Sequence, residues 1–484
     1  MLPRPLTNPS TRSRSRRPAV LLAVSAVLLS GGGAVALSAS VVDSTEGDLS
    51  TKSRLISTAE VTRRQVQQEI AASENGSGPG YFASDNVTFV KNIREAADGV
   101  GGRVVGDKLY VTTTKDLQIY DISEPTNPVR QGSTTVDVEF ENEQVPTDGK
   151  VLGISGQTSS VTTQAAPCLA DREASRGCLL LFDVRDATAP KLVQSIKGAG
   201  DHTSTCVQVG RQTCAFMYGS SGSVSDIRTA LTPGAAPILE SATNWLTSLH
   251  AQLKAKGWKG ELPTRTHHQS EIRPGILMTA SVPQMMISVN AAQGGSPLKP
   301  TLLAFASHLA APDNQTRFVH SVEWPQTGAA SVLLSGGETN AEPTCGEDNG
   351  AFSTFTVAGG KGTSPRFRFA DQYKLQEGTY TDGNTPAGGY KLGCSVHWFE
   401  QHPTFKDGGL VALSAYESGT RFLDVAKNGK ITERGFFLPL DSSASAPHWA
   451  PDGKTLYVVD YLRGIDVLTF DRGAAKGGKA SLQQ

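Results

Sequence analysis

What this chain has little of narrows its role before any motif is considered. Charged side chains make up only 19% of the 484 residues and the net charge is −1. There is no field to draw in a polyanion and no lysine or arginine cluster outside the N-terminus, so nucleic acid is excluded as a partner. No Cys-x-x-Cys pair is present, which removes the common thiolate zinc site. No Gly-x-Ser-x-Gly elbow presents a nucleophilic serine. The oxygen-rich segments DGNTPAGG and GGETNAEPTCGEDNG lack the regular carboxylate spacing of a calcium loop. Composition does not break along the body of the chain either, so one large domain is expected.

What is there in quantity is turn chemistry. Fifty glycines and 26 prolines are scattered as many short strands require. Between them one β-unit recurs, an apolar strand followed by a short strand ending in aspartate: LYVTTTKDLQIYDISEPTNP, CLLLFDVRDATAP, VALSAYESGTRFLDV and LYVVDYLRGIDVLTFD. Five histidines stand at the heads of strands: His202 in GDHTSTC, His268 in THHQSE, His320 in FVHSVEW, His397 in CSVHWFE and His448 in SAPHWAPDG. Their spacing of 51 to 77 residues exceeds the roughly 40 that four short strands need. Two further units precede His202, which makes seven. The expected fold is all-β, a seven-bladed β-propeller closed by an N-terminal strand, with a small helical insertion. The closing strand is YFASDNVTFVKNI, because an unclosed ring would leave two open sheet edges. The insertion is SATNWLTSLHAQLKAKGW, where Trp245, Leu249 and Leu253 recur at helical spacing, and it is expected to pack across one end of the ring.

The first forty residues read as an export signal or signal anchor. Arg12, Arg14, Arg16 and Arg17 precede the uncharged stretch Pro18–Ser40, which ends in small residues including Ala34-Val35-Ala36. About 20 uncharged residues suffice to span a bilayer, so a retained membrane tether stands beside cleavage. Ser15-Arg16-Arg17 bears a weak likeness to a twin-arginine signal. Residues 41–80 form a polar stalk, 81–472 the propeller and 473–484 a disordered tail. The protein is therefore expected to be secreted or extracellular. Its six cysteines suit that compartment and fall into local couples, Cys168 with Cys178, Cys206 with Cys214 and Cys345 with Cys394, although six cysteines allow 15 connectivities.

The repeat in LQIYDISEPTNP and LLLFDVRDATAP resembles the LVIVD repeat of bacterial exported β-propellers. CSVHWFEQHP, VALSAYESGTRFLDV and SAPHWAPDGKTLYVVDYLRGIDVL are similar to secreted actinobacterial members of that group. The likeness is clear over units one, two, six and seven and faint over the others. It implies a propeller outside the cytoplasm but brings no reaction, so no catalytic residue is carried over.

Three uses are open to the histidines. A repeat copies any strand-locking hydrogen bond, such as histidine to aspartate, into every blade, and this structural role alone would explain them. Alternatively His202, His268, His320, His397 and His448 converge on the channel as ligands for zinc, copper or iron, or they form a metal-free ligand site. Glu271, Glu323 and Glu400 each follow a histidine by three positions and are expected to serve a neighbouring blade or to hold a ring nitrogen from outside the coordination shell. Trp324, Trp398 and Trp449 read as inter-blade packing, Met278, Met285 and Met286 as core, and His250, His308 and His402 as surface or loop residues. Two functions follow. One is a non-catalytic platform that binds a protein, glycan, envelope component or small ligand at one mouth; the other is a metal-dependent oxidase or hydrolase. The platform is favoured while the repeat suffices to explain the histidines.

Overall fold

The computed structural model describes residues 80–473 and 481–483, apart from 137, 141, 158–167, 169–176, 201, 307–318, 325–330, 339–349, 359–365, 376–394 and 440–441. The export signal over 1–40 and the stalk beyond it, save Gly80, lie outside the described residues, as do Cys345, Cys394 and His308.

The chain begins with β1 (Tyr81–Ala83) and β2 (Val87–Ile93), and then lays down seven sheets in order. Blade one is β3–β6 (Gly99–Val105, Lys108–Thr113, Asp116–Asp121, Val129–Thr135), and blade two is β7–β10 (Glu139–Phe140, Val151–Gln157, Cys178–Asp183, Lys191–Lys197). Blade three has three strands, β11–β13 (Ser204–Val209, Gln212–Gly219, Val224–Asp226). Blade four is β14–β17 (Gln269–Arg273, Ile276–Thr279, Gln284–Ser288, Thr301–Ala306), and blade five is β18–β21 (Ser321–Glu323, Val332–Gly336, Ala351–Ala358, Arg366–Lys374). Blade six is β22–β25 (Phe399–Gln401, Gly409–Ser414, Thr420–Val425, Ile431–Pro439), and blade seven is β26–β28 (Ala444–Trp449, Thr455–Asp460, Gly464–Phe470).

The seven-bladed propeller is closed as expected, with β2 pairing antiparallel to β28 as the outermost strand of blade seven. The chain also binds blade six on the way, since β1 pairs with β25. Where a disordered tail is expected over 473–484, the structure instead places β29 (Ser481–Gln483) on the far side of β1.

The strand pattern follows from the ring. Each sheet is packed between two others, so its middle strands are apolar on both faces: every residue of β9 except its final aspartate is buried. Outer strands meet water and alternate, as in β10 and β6, whose edges carry Lys191, Lys197 and Arg130 in place of apolar side chains. Seven separate apolar cores lie between successive blades, and the last joins Ile465 and Val467 of blade seven to Leu109 and Val111 of blade one. The recurring aspartate has a local cause. Asp121, Asp183 and Asp226 end the third strand of their blades, and the carboxylate of each accepts the backbone N–H two residues on, fixing the turn that leaves the strand.

Two cysteine couples are bridged, Cys168 to Cys178 and Cys206 to Cys214, the latter stapling β11 to β12. The helical insertion is corrected in place. The helix is shorter than its pattern, His250–Ala255 after a 3-10 turn, and it lies against the peripheral strand β17 instead of crossing an end of the ring. Gln252 holds it there, donating to the Pro300 carbonyl and accepting from the Leu302 N–H, while Leu246, Leu249 and Leu253 complete the core between blades three and four.

Candidate metal centre at the propeller hub

Four of the five strand-head histidines meet. His202, His268, His320 and His397 each lie just before the innermost strand of blades three to six, and that position faces the channel. Blade two supplies the same level with Glu143, from an irregular stretch that pairs with β3 through parallel backbone contacts at Gly102. Gly101 makes this approach feasible, because a Cβ there would stand 2.1 Å from the Asn142 carbonyl oxygen. Asn142 then ties the neighbouring blade in, donating to the His202 carbonyl at 3.2 Å.

The ring atoms converge tightly. Glu143 is 0% exposed, and its two oxygens divide between neighbours: Oε2 is 2.9 Å from His268 Nε2, while Oε1 is 3.0 Å from His397 Nε2 and 3.5 Å from His320 Nε2. His267, which sequence reasoning passed over in favour of its neighbour, turns inward as well, its Nε2 2.9 Å from His202 Nε2. Glu338, just beyond β19, brings Oε2 to 3.7 Å from His320 Nε2, and its other oxygen accepts the Tyr416 hydroxyl. Tyr416 stacks on the His397 ring, with centroids 4.3 Å apart, from a left-handed backbone position at φ 47°. A non-glycine residue seldom adopts that conformation, and its backbone bonds to Ala444 hold it there. Trp398 packs edge-on against His268, with ring centroids 4.7 Å apart.

Electrostatics keep these groups in ligand form. Burial lowers His202 to about 3, and burial likewise holds His267 and His268 below the ordinary imidazole range, so all three are uncharged at neutral pH. Burial alone would push Glu143 up; the imidazoles of His268, His320 and His397 outweigh it and hold the carboxyl well below its usual range. The result is a buried carboxylate held ionised among imidazoles. Three sets of three donors have all ligand atoms within 4.8 Å of one another: His202, His267 and His268; Glu143, His320 and His397; and His267, His320 and Glu338. Donors on one ion with bonds near 2 Å must lie within about 4 Å of each other, so small side-chain adjustments suffice.

His448 is not part of this level. Its place in blade seven is taken by Ser445, whose carbonyl meets His397 Nδ1 at 2.8 Å. His448 lies three residues further along β26, with Nδ1 3.0 Å from Glu400 Oε2, so its expected role as a ligand beside the other four is corrected. The glutamates also belong to this second level. Glu400 does hold a ring nitrogen, that of His448. Glu271 accepts the Gln208 N–H and Glu323 the Gln401 N–H, each linking adjacent blades without touching the imidazole cluster. Around them a cavity of 370 Å³ opens towards the C-terminal ends of the inner strands, lined by Arg103, Thr205, Glu271, Glu323 and Gln401. Burial, reinforced by the charge of Glu400, raises Glu323 to about 8.

The remaining sequence readings sort by burial. Trp324 and Trp449 lie in inter-blade cores, as do Met278, Met285 and Met286. His250 and His402 bond loop carbonyls.

The chain matches no family model and no curated protein. Among solved structures it is similar to the β-propeller domain of Cps50 (Swd1) from Myceliophteria thermophila, at 12% identity and TM-score 0.45, covering 80% of this chain and all of that one. It is also similar to the RRP9 WD40 repeats, at 9% identity and TM-score 0.45 over 81% of this chain and 99% of that one. U3-55K gives the same identity and score over 81% of this chain and 100% of its own. Similarity at that level says nothing of chemistry.

Proposed function

We propose that the protein is an exported β-propeller whose hub binds a transition metal, zinc, copper or iron, and uses it on a small ligand entering at the histidine end of the channel. The observation that carries this is Glu143. A carboxylate with no exposed surface costs on the order of several kcal/mol to desolvate unless a cation answers it. Its recorded side-chain partners are three imidazoles, with no lysine or arginine among them. Imidazole with one or two carboxylates is a donor set for these metals. A bound ion would supply Lewis acidity to a ligand oxygen or to water.

The platform reading has no comparable focus. Among the described residues the large exposed apolar side chains, Val90, Val129, Val193, Leu239 and Leu298, are spread over several blades. Export rests on residues 1–40 and fits the two disulfides, which persist in an oxidising compartment. Metal analysis of protein purified without a histidine tag tests the proposal. A stoichiometric transition metal whose content falls in His320→Ala and His397→Ala is expected. Folded protein that takes up no metal when offered zinc, copper or iron would overturn it.

A further inference from the structure

The donors at the hub are too many for one ion, and they are divided. His202, His267 and His268 form one compact set, and His320, His397 and Glu143 form another that shares no residue with it. The sets adjoin. The His267 and His320 ring centroids are 4.4 Å apart, and those of His268 and His320 are 4.7 Å apart. Glu143 spans the boundary, one oxygen beside His268 of the first set and the other beside His397 and His320 of the second.

Resting on the metal reading above, we propose that the hub holds two metal ions, one on His202, His267 and His268 and the other on His320 and His397, bridged by the Glu143 carboxylate. Three physical points support the division. An ion of this class in a protein site takes about four ligands, so one ion would leave donors of this cluster of five imidazoles and two carboxyl groups idle. A carboxylate whose two oxygens face different donor sets is disposed to bridge ions about 3.5–4 Å apart, the usual separation in two-metal sites. The donor count also suits two cations better than one: Glu143 and Glu338 bring two carboxyl groups to a cluster of five imidazoles. Glu338 completes the second site beside His320, and the Tyr416 hydroxyl on its other oxygen fixes its direction. A two-ion centre can bind one ligand atom to each ion, or hold one atom between them, which suits a ligand with two adjacent oxygens such as a carboxylate, a phosphate ester or dioxygen.

The competing arrangement uses the third set, His267, His320 and Glu338, which takes one donor from each side and seats a single ion at the centre. Copper(II) distinguishes them. Titrated into metal-free, full-length protein, it is expected to bind to about two ions per chain, with an electron paramagnetic resonance spin count well below that number because the bridged ions couple. Glu143→Gln should keep much of the copper and recover nearly the full spin count, and His202→Ala and His397→Ala should each retain about one ion. Saturation at one ion, kept in His202→Ala and His397→Ala but lost in His267→Ala, would overturn the two-ion proposal and leave the metal reading standing. No copper at all would overturn both. Two ions with a full spin count in the unmodified protein would refute the bridge. That reading comes from the unmodified chain and does not depend on any variant folding.

Discussion

The two levels of the central channel are built from side chains about three residues apart on the same inner strands, or roughly 10 Å. They treat a buried carboxyl group in opposite ways. Glu143 is 0% exposed and stays ionised; Glu323 is 6% exposed and is raised to about 8. Burial is common to both and pushes both upward. The neighbours decide: three imidazoles around Glu143, and the like charge of Glu400 beside Glu323. Burial by itself therefore does not mark a functional carboxylate. A charged one surrounded by metal-ligating groups is matched to a cation, whereas a neutral one bonded to the next blade's backbone serves the ring.

The largest expected effect falls on the histidine end alone. Stripping metal with a chelator should lower stability by about 3–4 kcal/mol, the amount for an ion present at a hundred to a thousand times its Kd. The loss should be read as a fall in Tm, smaller in His320→Ala and unchanged in Glu323→Gln. A chelator response in His320→Ala as large as that of the parent would erase the distinction between the two levels.

The carboxylate end should respond instead to its covalent staple. Cys206 and Cys214 line its cavity, and replacing both by alanine is expected to cost about 2–3 kcal/mol in denaturant unfolding while leaving metal content intact. Metal loss in that variant would show the levels to be coupled.

A smaller effect is set by pH. The folded-state value of Glu323 lies above that of an unfolded glutamate, so the folded protein binds the extra proton. Its contribution is fully present below about pH 4.5 and is lost as pH rises towards 8, the reverse of an ordinary paired carboxylate. Glu323→Gln cannot ionise and should exceed the parent at pH 9, by a margin that shrinks to nothing near pH 4. Parallel stability curves for the two proteins would contradict the assignment. The smallest effect is expected from His448→Ala. Despite the match of His448-Trp449 to His397-Trp398 in sequence, metal content should not change, and a lost ion would return His448 to the hub.

That last pair shows how far the sequence could be followed. Seven units, closure by YFASDNVTFVKNI and the pairing of Cys168 with Cys178 and Cys206 with Cys214 were all legible, because each depends on local pattern or on the need to leave no sheet edge open. Four histidines could be placed at one level for the same reason. His448 was misplaced because blade seven brings Ser445, three residues earlier, to the level of His397, so that identical dipeptides occupy different depths. Glu143 carried no signal, since it lies outside the repeated pattern and meets His397 across 254 residues, and Glu338 stood out only within the oxygen-rich GGETNAEPTCGEDNG, with nothing to join it to the histidines. His267 was visible only as half of a doublet.

The order of residues by itself thus determined the architecture: apolar alternation, turn residues and repetition act over a few positions, and a ring is the arrangement that buries every sheet on both faces. Which side chains share a level in the channel, and which of two buried glutamates keeps its charge, was decided only when seven blades closed. Those properties depend on distances of about 3 Å between groups hundreds of residues apart, and on the local field their meeting creates.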